Sequence, residues 1–484
     1  MPTVHWLPWG ADAFARARVE KRPVLLSIVA PWCASSRDMD RTTYADAGVC
    51  AAVNDAFVPI RVDADRRPDI GERYSLGGWP TTAFLTPDGD VFGGGTYVTL
   101  DRMPAILDRV AGAYTSHRIE LSAPCRASAA RERGCETDSD LMRSVFAGFD
   151  DQHGGFGGAP KFPITSPLEL AIEVYRENHD ETMAHLVEVT LDAMGWRGLY
   201  DDVDGGFFRC AATADWQDPR QEKTLEVNAC VLRTLVEAAD VLGIARYRER
   251  ASDVIRYVQT WLADPVDGGW SGSQQGDIRY YSADAEARRE MAAPSVDTVL
   301  YTAWNGQMVS AMLRAAELLD DSGLGEFAVK SLERLTFRCY APGAGIAHCL
   351  DQGPSVRGLL DDQVAMASAS LDVHTATGNV VYLMMAQELA HYAVRVMWDD
   401  QDGGFFDRSI PDPDEAIGLM RERRKPFVAN CDAARLLRRL SATKGDHDFG
   451  IRATATLAAM APQAPLQGPL AAHYLLAARQ APLT

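Results

Sequence analysis

The sequence predicts a chain of two fold classes, α/β and then all-α. An α/β domain covers residues 1–118, a connector covers 119–136, and residues 137–484 form an (α/α)6 toroid of six helical hairpins. Three observations predict this. Short apolar runs alternate with helical patterns near the start, the signature of an α/β domain. A turn phrase of aspartates, two glycines and an aromatic then recurs along the chain. Helical periodicity dominates everything after the connector.

In the first domain a helical pattern at 11–20 leads to Lys21-Arg22-Pro23 and then to Val24-Leu25-Leu26-Ser27-Ile28-Val29, short and apolar like a buried strand. Ala30-Pro31-Trp32-Cys33 ends that strand, and one helix is expected through Met39, Tyr44, Val49 and Val53. A second strand is expected at 57–62, a third running out of the turn Gly78-Trp79-Pro80 to Leu85, a fourth at 93–98, and a closing helix at 100–114. Residues 119–136, rich in Ser, Ala and Arg, read as a connector whose Cys125 and Cys135 are unpaired thiols.

The turn phrase reads Asp150-Asp151-Gln152-His153-Gly154-Gly155-Phe156, then Asp201-Asp202-Val203-Asp204-Gly205-Gly206-Phe207. It returns as Asp264-Pro265-Val266-Asp267-Gly268-Gly269-Trp270 and as Asp399-Asp400-Gln401-Asp402-Gly403-Gly404-Phe405, with a weaker echo at Gly343-Ala344-Gly345-Ile346. Self-similarity at roughly 50–60 residues marks a repeated supersecondary unit. The glycines permit positive φ, and the aspartates hold the turn through local hydrogen bonds. Twelve helical segments flank these phrases, at 138–149, 166–177, 181–198, 222–242, 245–262, 298–319, 326–337, 361–377, 381–397, 428–440, 450–460 and 466–479. Paired as six hairpins they imply six inner helices ringed by six outer ones, with each phrase leading from an outer helix to an inner one. An open solenoid would show more uniform repeats and no convergent site.

The order strand, Trp-Cys at a helix start, strand, and Trp-Pro-Thr before another strand resembles a thioredoxin fold, which implies a cis Pro80 lying against Cys33. More specifically, Trp6-Leu7-Pro8-Trp9, Asn54-Asp55-Ala56-Phe57-Val58, Arg67-Pro68-Asp69-Ile70 and Gly78-Trp79-Pro80 resemble the bacterial relatives of spermatogenesis-associated protein 20. So do Gly154-Gly155-Phe156-Gly157-Gly158-Ala159-Pro160-Lys161-Phe162-Pro163, Glu222-Lys223 with Asn228-Ala229, and Trp304-Asn305-Gly306. The resemblance implies a thioredoxin-like domain followed by a helical domain similar to six-hairpin glycosidases and sugar 2-epimerases. The family pattern Cys-His-Trp-Cys-His-Val-Met stands here as Cys33-Ala34-Ser35-Ser36-Arg37-Asp38-Met39, and Pro-His-Phe-Glu-Lys as Pro219-Arg220-Gln221-Glu222-Lys223. Ser36 in place of the second cysteine removes the thiolate that resolves a mixed disulfide. Cys33 is then either a monothiol nucleophile at a helix N-terminus, supported by Trp32, Ser36 and Pro80, or the remnant of a decayed site. Loss of both histidines leaves no metal reading of that segment.

In the toroid mouth, paired carboxylates such as Glu222 with Asp361 or Asp362 offer general acid and base for sugar chemistry. Lys161, Lys223, Asn228, Trp304, Asn305 and Asn430 fall at expected inner-helix starts as substrate-binding groups, and Phe156, Phe207, Trp270 and Phe405 would supply stacking walls. The structural alternative is that acidic residues cap helices and that the aromatics only build hairpins. His153 and His348 are weaker acid–base candidates. Three functions follow as expectations: binding or transformation of a sugar-like or other polar small molecule, monothiol exchange with a thiol protein, and a non-catalytic scaffold.

A formal charge of -19 argues against a nucleic-acid partner. Nine cysteines without a CxxC pair suit reduced thiols in a cytoplasm. No metal or cofactor motif is present, no run of about 18 apolar residues suggests a membrane span, and the first residues do not read as a signal peptide.

Overall fold

The structure, a computed structural model, describes residues 3–116, 137–444 and 446–479. The chain divides into two compact units, one made of residues 1–129 with 410–423 and the other of 130–409 with 424–484. The expected boundary at 119–136, with Cys125 and Cys135, lies outside the described residues. The 410–423 segment corrects the expected domain limits, because it was assigned to the toroid and belongs to the first unit.

The first unit runs α1 (Ala11–Glu20), β1 (Val24–Val29), α2 (Ala34–Thr42), α3 (Ala47–Ala56), β2 (Val58–Asp63), α4 (Pro68–Tyr74), β3 (Thr81–Leu85), β4 (Val91–Gly95) and α5 (Met103–Thr115). The sheet order is β2-β1-β3-β4, with β1 parallel to β2 and antiparallel to β3. Alternation along β1 sends Leu26 and Ile28 to a core with Phe14, Ile70 and Tyr74, and Leu25 to a second core with Met39, Val53 and Leu107. The single helix expected through Val53 is two helices. Asp46 breaks it, since its carboxylate caps the second by accepting from Val49 N at 2.9 Å. Helix α4 was not expected; Pro68 at its first turn has the φ that a helix start requires.

The second unit contains all twelve expected long helices. They are α6 (Asp138–Phe146), α7 (Ser166–Asn178), α8 (Glu181–Trp196), α9 (Leu225–Val241) and α10 (Ala245–Tyr257), then, after the short α11 (Ile278–Tyr281) and α12 (Ala285–Arg289), α13 (Thr302–Leu319) and α14 (Ser322–Cys339). Next come α15 (Leu360–Thr377), α16 (Val380–Met397), α17 (Phe427–Lys444), α18 (His447–Met460) and α19 (Ala472–Arg479). Helices α7, α9, α13, α15, α17 and α19 each pack on the next, and α19 packs back on α7, so the inner ring closes. The outer helices α8, α10, α14, α16 and α18 each lie on the inner helix that precedes them or follows them in the chain, and α6 packs on α19. The arrangement is the (α/α)6 toroid that the repeats imply.

Burial explains why each pair holds. On α9, Val231, Leu232, Leu235 and Val236 are all fully buried, the stripe that the three- and four-residue spacing predicts. Trp270 is also fully buried and meets Phe327 edge-on, with ring centroids 5.1 Å apart. Burying an indole of this size stabilises by roughly 4–6 kcal/mol before entropy is counted.

Candidate functional site

The turn phrases share up to three devices, the third at three of the four aspartate phrases, and most of the sequence-predicted site residues belong to them. The first aspartate closes the turn. Asp150, Asp201, Asp264 and Asp399 each accept from backbone N–H groups two or three residues on, through Oδ1 at 3.0–3.1 Å. A cation then takes the second carboxylate oxygen. Lys161 reaches Asp150 at 2.6 Å, Lys223 reaches Asp201 at 2.7 Å, Arg334 reaches Asp264 at 2.8 Å and Lys425 reaches Asp399 at 2.6 Å. Third, a side-chain amide from the first turn of the inner helix clamps the backbone of the aromatic residue. Asn228 does so on Phe207, Asn305 on Trp270 and Asn430 on Phe405, each accepting from the N–H and donating to the C=O. Gln363 treats Ile346 in the same way, which makes the weak echo a true repeat.

These contacts reassign the residues that were expected to bind substrate. Lys161, Lys223, Asn228, Asn305 and Asn430 are fully buried, with their polar atoms committed to the hairpins. Phe156, Phe207, Trp270 and Phe405 are core side chains at most 2% exposed, so they build no stacking wall. The second glycine of a phrase must be glycine: at Gly206 φ is +80°, and a Cβ would sit 2.4 Å from the Tyr257 ring.

Lys223 shows the cost of this burial. Desolvation pulls its pKa down to about 8 although Asp201 and Asp204 oppose it, and Phe208, Tyr257 and Tyr281 surround its ammonium. Asp201 moves below its usual range, because Lys223 and Arg288 together outweigh its own desolvation. The two partners shift in directions that pull against each other, yet both leave the pair charged at neutral pH.

Two expected catalytic carboxylates are also structural. Glu222, only 7% exposed in its side chain, pairs with Arg209 at 2.8 Å. Asp362 is fully buried beneath His348, whose Nδ1 lies 3.0 Å from both carboxylate oxygens, and it accepts from Thr302 Oγ1 at 3.0 Å. His153 contributes its backbone carbonyl to Trp216 Nε1. Trp304 is half-buried against Tyr301, with centroids 4.6 Å apart.

Of the expected catalytic residues, Asp361 reaches the lumen. A cavity of about 420 Å³ opens among all six inner helices, and Asp361 lines it at the start of α15. The other ionisable groups there were not singled out in the sequence as site residues. Glu226, Cys230 and Arg233 stand on one face of α9, Asp432, Arg435 and Arg439 on α17, Glu169 on α7, Asp372 on α15 and His473 on α19. Their signal in the sequence is a polar stripe at three- and four-residue spacing inside otherwise apolar inner helices.

The ionisable groups of the lumen are paired and shift one another. His473 Nδ1 lies 2.9 Å from Asp432 Oδ1. Burial alone would lower the His473 pKa, but Asp432 and Glu169 raise it above its ordinary value. Asp432 is held below its usual range, since His473, Arg435 and Arg233 outweigh its desolvation. Arg435 pairs with Glu169 at 3.5 Å, and Arg439 pairs with Asp372. Glu226 borders the cavity but is ringed by protein, and that desolvation raises its pKa. The lumen therefore combines a carboxyl biased toward the protonated form, an imidazole biased the same way, and guanidinium donors.

In the first unit, Cys33 caps the start of α2 and is 9% exposed. Its Sγ donates to Trp79 O at 3.6 Å, and the Trp79–Pro80 bond is cis. Trp32 Nε1 donates to Asp65 at 2.7 Å, and Arg37 donates to the carbonyls of Pro31 and Trp32, fixing the loop before the thiol. Ser36 is buried, with no hydrogen-bond partner for its Oγ among the described residues. No group of three or more metal-ligating side chains occurs among the described residues, and no described helix is long and apolar enough to cross a membrane.

Residues 1–130 match a thioredoxin-like family model described as a protein of unknown function, DUF255. The chain is 24% identical over 543 residues to human spermatogenesis-associated protein 20, covering 83% of this chain and 69% of that protein. It is 29% identical over 308 residues to the uncharacterized protein B0495.5 of Caenorhabditis elegans, covering 57% of this chain but only 41% of that one. Among solved structures, cellobiose 2-epimerase from Bacillus thermoamylovorans superposes with a TM-score of 0.53 at 11% identity, over 66% of this chain and 85% of the epimerase. At that identity the likeness concerns the fold alone.

Proposed function

We propose that this chain, a spermatogenesis-associated protein 20-like protein with a thioredoxin-like unit and an (α/α)6 toroid, binds and transforms a sugar-like or other polar small molecule in the toroid lumen. The observation that carries this reading is the convergence of Glu226, Asp361, the His473–Asp432 pair, Arg233 and Arg435 on one cavity of about 420 Å³. That volume suits a mono- or disaccharide-sized ligand. Glu226, whose carboxyl pKa is raised by desolvation, is the proton donor in this reading. Asp361 is the partner carboxylate, and the guanidinium groups of Arg233 and Arg435 orient ligand oxygens. The fold shared with a sugar epimerase makes sugars the first ligands to test.

Calorimetry against a panel of mono- and disaccharides that includes cellobiose and mannose tests the reading, with product analysis by NMR. Binding by the wild-type protein is expected, lost in Glu226→Gln with the unfolding midpoint preserved and in His473→Gln with the chain still folded. Binding that survives in both variants would place the ligand elsewhere.

A second reading has its own observation. Cys33 sits at a helix start with its thiol on the Trp79 carbonyl and with Arg37 ordering its loop, a geometry that suits a monothiol acting on a thiol protein. It predicts that Cys33 forms a mixed disulfide with a small disulfide reagent, located by peptide mass. Absence of an adduct at Cys33 counts against it.

A further inference from the structure

The segment 410–423 leaves the toroid between α16 and α17 and completes the core of the first unit. Its base is closed within the toroid, where Asp407 N donates to Arg424 O at 2.7 Å and Arg424 N donates to Asp407 Oδ1 at 2.8 Å. The excursion can therefore be held or released without breaking an inner helix. Its tip enters a groove beside α4. Ile417 and Met420 are buried in the cluster that contains Trp9, Phe14, Ile70 and Tyr74.

The groove reads the backbone of this strap. Arg73 Nε donates to Leu419 O at 3.2 Å, and its Nη2 donates to Glu422 O at 2.8 Å. The Tyr74 hydroxyl accepts from Leu419 N at 2.8 Å and donates to Gly89 O at 2.9 Å. Gly418, with φ +55°, passes so close to Gly89 that an added Cβ would stand 2.3 Å from both Gly89 O and Tyr74 Oη. Any larger residue at 418 must lift the strap out of the groove.

Helix α4 also adjoins the residue that covers the thiol. A Cβ at Gly71 would lie 3.6 Å from the Trp79 ring. Trp79 packs against both the cluster that holds Ile417 and Met420 and the small cluster of Ala30, Trp32 and Cys33. Its carbonyl also takes the Cys33 thiol. The strap, α4, Trp79 and Cys33 thus form one line of packed groups.

We propose that segment 410–423 is a built-in peptide ligand of the thioredoxin-like unit, and that its docking keeps Trp79 over Cys33 and the thiol covered. Undocking loosens α4, frees Trp79 and makes Cys33 reactive. Occupancy of the groove controls access to the thiol.

The test uses the full chain. Hydrogen exchange of peptides spanning 410–423 reports docking, and the iodoacetamide alkylation rate of Cys33, mapped by peptide mass, reports access. In Tyr74→Phe both rates are expected to rise roughly ten-fold, the change that about 1.4 kcal/mol of lost docking produces. Gly418→Val should raise them further, and Ile410→Ser, at a side chain 75% exposed, should leave both unchanged. Faster strap exchange with an unchanged Cys33 rate overturns the proposal, as does unaltered strap exchange in both groove variants. If Gly418→Val does not fold, Tyr74→Phe alone decides.

Discussion

Asn228 and Phe207 exchange two hydrogen bonds: the Phe207 N–H donates to Asn228 Oδ1 at 2.8 Å, and Asn228 Nδ2 donates to Phe207 O at 3.1 Å. The same amide also donates to Thr224 O at 2.9 Å, so one side chain ties hairpin to helix start with no solvent to replace it. Asn228→Ala leaves a buried N–H and two carbonyls without this partner. A loss of about 2–4 kcal/mol is expected, measured as a lowered urea midpoint of the toroid transition.

Glu222 and Glu226 lie four residues apart, one before the start of α9 and the other in its first turn, but have different tasks. Glu222→Gln weakens a largely buried pair with Arg209, and a stability loss of about 1–2 kcal/mol is expected with saccharide binding retained. Glu226→Gln, at a carboxyl that borders the lumen, is expected to show the reverse: binding lost, stability within about 0.5 kcal/mol of wild type. Calorimetry and chemical denaturation on the two variants separate the roles.

The His473–Asp432 pair gives stability a pH signature. The folded His473 pKa is raised above 6.5, so its contribution is fully present below that pH and is lost as pH rises through the folded value. The folded Asp432 pKa is depressed below 3.8, so its contribution is present above 3.8 and lost as pH falls through the folded value. The difference in unfolding free energy between wild type and His473→Gln should thus be largest between these limits and shrink on the alkaline side. Urea titrations at several pH values measure it, and a pH-independent difference would contradict the pairing.

Ser36 occupies the place of a resolving thiol, buried and without a partner for its hydroxyl among the described residues. Ser36→Cys removes that unsatisfied oxygen, so stability should hold or rise by up to about 1 kcal/mol. Two thiols one helical turn apart at the start of α2 should then close on equilibration with oxidised glutathione. Thiol counting reads this as the loss of two free cysteines, which the wild-type chain should not show.

The toroid was legible because its determinants are local. At four hairpins an aspartate closes the turn, glycines take positive φ and an aromatic is buried, and those residues lie within one short phrase. The lumen was not legible for the opposite reason. Glu226, Arg233, Asp432 and His473 come from three helices, and only closure of the ring decides which face of each points inward. Lys161, Lys223 and Glu222 were misread because their stretches are distinctive for a different cause: a buried cation or ion pair tolerates few substitutes when it locks a hairpin. The helix break at Asp46 was available as an Asx cap. The strap was not, since Tyr74 and Leu419 are separated by 345 residues of chain.

Closure of α19 against α7 makes the toroid a cycle without end members. An open helical stack must protect its first and last units with specialised polar repeats. Here Leu170 and Val174 of α7 and Leu475 and Leu476 of α19 share one buried cluster, so each flank is the other's cover. Removing any single inner helix uncovers two apolar flanks at once, and the remaining helices have no partial ring to fall back on. The fold is therefore all-or-none around its circumference, and new chain ends can be tolerated only in the outer turns, such as the one at Gly378, where no seam between inner helices is cut.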